Sequence, residues 1–179
     1  MAFPNERSLD AWAVLALLRE GETHGWTLVR ALAPDGEIGR VWSVRRALVY
    51  RTVELLLEAS LVKRARVEDG ARGAPRTVLS LTASGRRAIE KWLGEPVAHV
   101  RDLHSALLLK LLFAERLGLD PGPLLEAQRA ILADIVDALR ARPAAIGPAD
   151  KTVRAFRLQT ARAGLRFVDG ELARLDGGR

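Results

Sequence analysis

The chain has 179 residues, of which 49% are apolar and 28% are charged, and its formal net charge is +6. This composition is typical of one large globular domain or two small ones. The absence of cysteine excludes disulfides, thiolate nucleophiles and Cys-ligated metal centres, and three histidines leave little material for a metal site or a histidine base. No apolar run approaches the roughly 18 residues that span a bilayer, and the N-terminus lacks the pattern of a signal peptide. We therefore expect a cytoplasmic protein that is not an enzyme.

Charge is distributed unevenly along the chain. Residues 1–39 carry three cations and six acids, a net charge of −3, whereas residues 40–93 carry twelve cations and five acids, a net charge of +7. Residues 94–179 have a net charge of +2. A basic segment of this density suits a polyanion, because each phosphate neutralised by Arg or Lys releases condensed counterions. The alternative from charge alone is a solvated basic surface.

Capping signals place the first two helices. Ser8 can accept hydrogen bonds from the free amides of a helix that runs to Glu20, and Gly21 can close that helix in the left-handed conformation. This first helix is so apolar that we expect it to be buried on more than one side. Thr23 can cap a second helix of about ten residues, which a turn at residues 34–36 ends.

A third helix is predicted to begin between Ser43 and Ala47 and to end near Ser60. The pattern then becomes extended, and residues 61–67 and 76–81 predict a β-hairpin with a basic, glycine-containing tip. The apolar stripe of the third helix consists of Val49, Val53, Leu56 and Leu57.

The rest of the chain is predicted to be helical. Thr82 caps a fourth helix that ends at Leu93, and residues 94–96 mark a domain boundary. Further helices are predicted from His99 to Leu117 with a stop at Gly118, from Asp120-Pro121 to Arg142, and from about Asp150 to Leu175, with a linker at residues 143–148.

Three helices, a hairpin and a fourth helix within a hundred residues are the element order of a winged helix-turn-helix domain. We therefore predict a mainly α protein with a small β-hairpin wing. Residues 1–94 form the winged helix-turn-helix DNA-binding domain, and residues 95–179 form a helical dimerisation domain that could also bind an effector. In this arrangement the third helix lies in the major groove and the wing reaches a neighbouring backbone or minor groove.

The charge map agrees with this interpretation, because the basic residues fall on the third helix and the hairpin. No acid occurs between Arg40 and Thr52. A guanidinium can grip phosphates or guanine edges through two parallel hydrogen bonds, although exposed helices also carry such charges for solvation alone. The candidate DNA contacts from charge are Arg45, Arg46 and Arg51 on the third helix and Arg72 and Arg76 at the wing.

Several short motifs follow one another along the chain: Thr-His-Gly-Trp at 23–26, Val-Trp-Ser-Val-Arg-Arg-Ala-Leu-Val-Tyr-Arg-Thr-Val at 41–53, Leu-Glu-Ala-Ser-Leu-Val at 57–62, Gly-Ala-Pro-Arg-Thr at 73–77, Leu-Thr-Ala-Ser-Gly through Trp-Leu at 81–93, and residues 96–111. In this order and at this spacing, the sequence resembles the PadR family of bacterial transcription regulators along nearly its whole length. The chain departs from the family at Trp26 and Leu79, where the family often has Tyr, and at Ser60, where it often has Gly.

The resemblance implies a homodimer that represses promoters, often its own, and releases DNA when a small molecule binds. It also implies that the hydroxyl of Tyr50 contacts the DNA backbone, with half-buried packing as the alternative. His24 follows the Thr23 cap, where free amides could hold a phosphate, and its direct contact with DNA is left open. We expect the partners to be an inverted-repeat operator in double-stranded DNA, a second copy of the chain and an apolar small-molecule effector.

The last helix carries apolar residues at spacings of three and four, like a coiled-coil seam. The dimer could use this helix, the helix at 121–142, the first helix or all three. The candidate interface residues are Leu125, Leu132, Val136, Val153, Phe156, Thr160, Ala163 and Phe167. Trp92, Phe113, Phe156 and Phe167 could also line a ligand cavity between the domains.

Other classes of function are disfavoured. The chain has no Gly-rich phosphate loop with its lysine, no nucleophile elbow and no recognisable carboxylate pair, so we expect neither an enzyme nor a cofactor. His99 and Asp102 share a helix face while His104 points away, so no metal site is predicted. The competing hypothesis is a helical adaptor that uses a winged-helix scaffold to bind protein, with its basic charge incidental.

Overall fold

A computed structural model describes residues 8–70, 73–141 and 147–177 of the chain. The chain divides into two compact units. The first contains Met1–Leu93 and Leu108–Gly118, and the second contains Gly94–Leu107 and Leu119–Arg179. The predicted division at residue 94 therefore differs from the structure, because one helical segment after that residue returns to the first unit. Helical periodicity alone cannot show against which unit a helix packs.

The first unit is a winged helix. Its elements are α1 (Leu9–Glu20), β1 (Thr23–His24), α2 (Gly25–Ala31), α3 (Arg46–Glu58), β2 (Val62–Gly70), β3 (Gly73–Leu81), α4 (Ala83–Gly94) and α5 (Leu108–Leu117). Six consecutive residues of α1, Ala13–Leu18, are buried, which confirms the prediction of a helix covered on more than one side. Against α1 pack α3, β3 and α5.

Two cap predictions near α1 are wrong. Gly21 has φ of 170°, which is extended backbone rather than the left-handed region. Thr23 does not cap α2, because it lies in β1 and pairs with Leu79 of β3. His24 occupies the N-cap position instead, with extended backbone and no capping hydrogen bond from its side chain. A strand of two residues is too short to show alternation, so the sequence does not reveal it.

The sheet has three antiparallel strands in the order β1-β3-β2. The predicted hairpin corresponds to β2 and β3, which pair from Val62 with Leu81 to Gly70 with Gly73. The register shifts between Arg64 and Arg66, as at a β-bulge. Because β1 pairs with β3, the residues just before α2 are held beside the wing.

Thr82 confirms its predicted role as the cap of α4. Its Oγ1 accepts a hydrogen bond from the backbone N–H of Gly85 at 3.0 Å and donates toward the backbone oxygen of Ser60 at 2.8 Å. The same hydroxyl therefore ties the start of α4 to the end of α3. Ser60 has φ of 55° and, among the described residues, no other residue besides glycine has a positive φ.

Replacing Ser60 with glycine is expected to raise the free energy of unfolding by about 0.5–1 kcal/mol, because the left-handed conformation costs a residue with a Cβ more than it costs glycine. Urea denaturation of Ser60→Gly and Ser60→Ala measures the difference. The alanine variant keeps the Cβ and should be no more stable than the parent. A glycine variant that is no more stable than the alanine variant would contradict this assignment of strain.

An aromatic stack ties α4 and α5 into the first unit. The rings of Trp12 and Trp92 are stacked at 5.3 Å with an interplanar angle of 9°. The ammonium of Lys110, a residue of α5 with 2% exposure, lies 3.9 Å from the centroid of the Trp92 ring and donates to the backbone oxygen of Trp92. Trp92 and Phe113 are both buried.

The second unit is built on two long helices, α6 (Gly122–Ala141) and α7 (Pro148–Gly177). A 3₁₀ turn at Val100–Asp102 and a π-helical segment at Leu103–Leu107 precede α5, so the predicted continuous helix from His99 to Leu117 is broken into three geometries. Gly118 ends α5 with φ of 63°, as expected. Most of the predicted linker at 143–148 lies outside the described residues.

The buried side of α6 faces α7 rather than solvent. Leu125, Leu132 and Val136 have 1–2% exposure, and Val136 packs with Leu139 and Ala161. Residues this deeply buried in one chain have no surface to offer a second chain. The prediction that these three α6 residues form a dimer interface is therefore corrected, and they belong to the core of the second unit.

Gln128 is fully buried, and its side-chain amide forms hydrogen bonds with both backbone groups of Val97. Its Oε1 accepts from the N–H of Val97 at 2.7 Å, and its Nε2 donates to the carbonyl of Val97 at 3.0 Å. Gln128→Leu is expected to cost about 2–3 kcal/mol of stability, because both backbone groups of Val97 lose their partner. Chemical denaturation measures this cost. Gln159→Leu, on an exposed part of α7, is the control and should change stability by less than about 0.5 kcal/mol.

Candidate nucleic-acid interface

The outward face of α3 is basic and exposed. Val49, Thr52, Val53 and Leu56 bury the opposite face of the helix in the first unit. Arg46 and Tyr50 are one helical turn apart, so they share the exposed face, and the Arg46 guanidinium lies 5.8 Å from the centroid of the Tyr50 ring. The predicted candidates Arg45, Arg46, Tyr50 and Arg51 are all exposed.

The cations of α3 differ in their partners from Arg64 of the wing. Within the described residues, no ion pair forms at Arg45, Arg46 or Arg51. In contrast, Arg64 pairs with Glu54 through two hydrogen bonds of 3.0 and 3.2 Å. The guanidinium groups of α3 are therefore available to a polyanion, while that of Arg64 is engaged.

Arg66 is also held by carboxylates. Its guanidinium donates to Glu22 and, at 2.8 Å, to Glu68. Hydrogen bonds to these two carboxylates raise the pKa of Arg66 above its ordinary value. All three groups are about half exposed, so these ion pairs are individually weak. They nevertheless neutralise part of the positive charge that the sequence placed on the hairpin.

Tyr50 has both a packing contact and an exposed surface. Its ring lies against Gly25 at the start of α2, where a Cβ on Gly25 would come within 2.9 Å of Cε1 of Tyr50. The residue is 39% exposed. Glycine at position 25 thus permits the close approach that positions the tyrosine, and neither of the two sequence interpretations of Tyr50 excludes the other.

His24 bridges β1 and the wing. Its Nδ1 lies 3.4 Å from the carbonyl oxygen of Thr77, and its Nε2 lies 3.3 Å from Oε2 of Glu68. Both ring nitrogens therefore face partners within the protein. This arrangement favours a role in holding the wing against α2 over a direct contact with phosphate.

A groove of about 620 Å³ lies between α2, α3 and the wing. Arg76 and Tyr50 line it together with Trp26, which is 56% exposed and carries the Arg30 guanidinium 5.3 Å from its ring centroid. Arg76 is exposed, and the predicted contact Arg72 lies outside the described residues. The structure thus brings Arg76 of the wing to the same groove as Tyr50 of α3.

Sequence reasoning missed two exposed side chains on this surface. The sequence does not predict that Trp26 lines one groove with Tyr50, because only the folded sheet places α2 against the wing. Leu48 is 40% exposed on α3. Its position outside the apolar stripe of that helix was a signal that could have been used. An exposed leucine there can contact a thymine methyl group in the major groove.

No group of three His, Asp or Glu side chains in the described parts of the chain is arranged to hold a metal ion. None of the described helices combines the length and the apolar character needed to cross a membrane. The titratable residues that the sequence singled out, His99 and His104, are exposed in the second unit.

The first unit thus defines a class of protein, the winged helix-turn-helix proteins, with exposed basic residues on the helix that reads DNA in this class. Residues 14–91 match the transcriptional regulator PadR-like family. Most of the motifs that carry the resemblance in the sequence fall within these residues.

Part of the chain is also similar to a curated protein. A probable transcriptional regulator of Mycobacterium tuberculosis, Rv1176c, is 28% identical over 89 residues, which are 50% of this chain and 46% of that protein. The matched region of the chain thus spans about half the length of this curated relative.

Solved structures with similar folds include Bacillus subtilis PadR in complex with operator DNA, with 19% identity, a TM-score of 0.48 and coverage of 94% of this chain and 99% of that chain. The structure of smu.1604c from Streptococcus mutans UA159 has 15% identity and a TM-score of 0.43, and the match covers 91% of this chain and 98% of that chain.

Proposed function

We propose that this chain is a homodimeric, sequence-specific DNA-binding repressor that a small-molecule effector releases from its operator. The observation that carries the proposal is the exposed face of α3, where Arg45, Arg46 and Arg51 have no carboxylate partner among the described residues. The family match at residues 14–91 supports transcription regulation as the process. A repressor of promoters acts in the cytoplasm, on double-stranded DNA.

The geometry supports different roles for α3 and the wing in binding DNA. The arginines of α3 reach base edges or phosphates in the major groove, where a bidentate guanidinium contact selects guanine. Arg76 and the hydroxyl of Tyr50 lie at one groove beside α3 and contact the adjacent backbone. Backbone contacts fix the register of the domain on the duplex, and base contacts supply the specificity.

The exposed apolar residues of α7 support a homodimer. Val153, Phe156 and Phe167 are 46%, 70% and 40% exposed. Thr160 is half-buried and Ala163 is exposed on the same seam. A second copy of the chain covers this seam in the proposed dimer, because large aromatic side chains gain most from burial at an interface. Two-fold symmetry then matches an inverted-repeat operator with half-sites about one helical turn apart.

Effector release follows from a difference in affinity between two states of the dimer. A ligand that prefers a spacing of the two winged domains that the operator cannot accept shifts the population away from DNA. Tight binding to both states equally would release nothing. The proposed effector is a small molecule with an apolar body.

Binding to a labelled duplex of the chain's own promoter, titrated at several salt concentrations against a scrambled duplex, tests the function. A dimer that neutralises about six to ten phosphates is expected to give a log–log salt slope of about −5 to −9 and to prefer the promoter. Equal affinity for both duplexes would exclude this promoter as the operator. A failure to bind either duplex at low salt would instead favour a protein-binding adaptor.

A further inference from the structure

The second unit contains a groove that the proposed contacts with DNA do not use. It has a volume of about 730 Å³ and lies between residues 98–104, α6 and α7. This volume is within the range of about 300–1,000 Å³ that is usual for small-molecule sites. All of its lining residues belong to the second unit, so the groove is formed within one compact body.

The floor of the groove is apolar and mainly aliphatic. Val100, Ile135 and Leu139 line it, and the same residues pack with the core cluster of the second unit around Val136 and Ala161. Phe156 and Thr160, two residues of the proposed dimer seam, also line the groove, so the proposed dimer interface adjoins it. A straight alkyl chain complements such a floor, because it buries apolar area along its length without needing a polar partner.

The polar residues of the groove are almost all basic or titratable to a cation. Arg101, Arg157, His99 and His104 line it, and Thr160 is the remaining polar residue. No Asp or Glu is among the lining residues, although the chain contains 22 of them. Asp102 lies next to the groove, with its Oδ1 3.8 Å from Nε of Arg101, which is a long and weak ion pair. The charge of the groove therefore complements an anion.

We propose that this groove binds a straight-chain carboxylate of medium length, with its alkyl chain on the aliphatic floor and its carboxylate between Arg101 and Arg157. A guanidinium can hold a carboxylate through two parallel hydrogen bonds, so either arginine can anchor the head group. That this site binds the effector of the repressor rests on the proposed function. That it binds a carboxylate rests on the groove alone.

The groove is also placed to transmit ligand binding along the chain. His99, Arg101 and His104 belong to the segment that continues through the π-helical turn directly into α5. π-helical turns are rare in proteins and often occur at functional sites. A carboxylate that orders this segment would bias the geometry of the turn that joins the groove to the helix of the first unit.

Calorimetric titration of the full-length protein with decanoate tests the site. We expect saturable binding with one site per chain, and decanol, which lacks the charge, should bind about tenfold more weakly. Decyltrimethylammonium, which carries the opposite charge, should not compete. Equal binding of all three probes, or no saturable binding of decanoate, would overturn the proposal.

Two variants locate the binding. Ala138→Phe places a ring in the groove from an exposed position of α6 and should weaken decanoate binding at least about tenfold by steric exclusion. Ala130→Phe, at an exposed α6 position outside the groove, is the matched control and should bind decanoate like the parent. Arg101→Ala with Arg157→Ala should weaken decanoate binding about tenfold and leave decanol binding unchanged.

The mass of the protein in solution, measured with and without decanoate, shows whether a second copy of the chain occupies the groove instead of a small molecule. If Ala138→Phe dissociates an oligomer that Ala130→Phe retains, the groove is an interface between copies of the chain, and the ligand proposal fails. Operator binding in the presence of decanoate separates the two proposals. Decanoate that binds at the groove without weakening a demonstrated operator complex would overturn its role as effector, whereas a protein with no operator complex would overturn the proposed function.

Discussion

Replacing Arg46 and Arg51 together with alanine is expected to weaken operator binding about 100- to 1,000-fold in roughly 0.1 M salt, because four guanidinium groups of the dimer no longer reach the DNA. Both side chains are exposed on α3 and pair with no carboxylate among the described residues. Their removal therefore costs the fold little, and the melting temperature should stay nearly unchanged. The salt slope of binding should become shallower by about one unit for each phosphate that the variant no longer neutralises.

Fluorescence anisotropy with the labelled promoter duplex measures this change. The matched control is Arg86→Ala with Arg87→Ala, which removes the same charge from exposed positions of α4. This control should weaken binding only slightly, by reducing the long-range attraction between protein and DNA. If both double variants weaken binding equally, net charge rather than the α3 face governs affinity. A large fall in melting temperature for the α3 variant would show that the arginines support the fold.

Replacing Phe156 and Phe167 with glutamate is expected to weaken the proposed homodimer by about 1,000-fold or more, because four carboxylates then enter its apolar interface. Both phenylalanines are exposed on one chain, whereas Ala161 and Val168 are the buried residues of α7. The helix itself should therefore remain folded. Sedimentation equilibrium or mass photometry over a range of concentrations measures the shift from dimer to monomer.

Ala155→Glu with Ala173→Glu is the control for the dimer prediction. These alanines are exposed on α7 and lie roughly 100° around the helix from the seam, so the same charge is added away from the interface. The control should stay dimeric and should retain affinity for the operator. If the Phe156 and Phe167 variant also stays dimeric, the dimer interface lies elsewhere in the chain. Unchanged operator affinity of that variant would show in addition that DNA binding does not depend on the α7 seam.

Much of the winged helix was predictable because its signals are local. The consecutive apolar residues of α1, the stripe of α3 and the Thr82 cap each appear within a few positions of sequence. The missed features depend on distant partners. β1 exists only because Thr23 meets Leu79, which lies 56 positions later, and no local pattern announces that pairing.

The candidate DNA site shows the same contrast. The run from Arg40 to Thr52 without an acid predicted a basic helix face, and the exposure of Arg45, Arg46 and Arg51 agrees with it. The basic hairpin was less informative. The Arg64 guanidinium meets Glu54 from another element, so the electrostatic surface of the wing depends on neighbours that charge counting along the chain cannot include.

The apolar stripes of the last two helices needed the folded chain for their interpretation. On sequence alone, the α6 stripe and the α7 seam were equivalent candidates for a dimer interface. The structure buries Leu125, Leu132 and Val136 inside the unit and leaves Phe156 and Phe167 exposed. Periodicity reports that a helix has an apolar face, and it carries no information about whether the covering surface comes from the same chain.

Local patterns in the sequence therefore predicted most of the helices, the wing and the basic face of α3. Only the tertiary structure decided which arginines remain unpaired, which apolar faces remain exposed, and that α5 returns to the first unit. It also created the groove of the second unit, because Arg101 and Arg157 are 56 positions apart in sequence. The physical reason is that capping and helical periodicity act over a few residues, whereas charge pairing and burial join residues that only folding brings together.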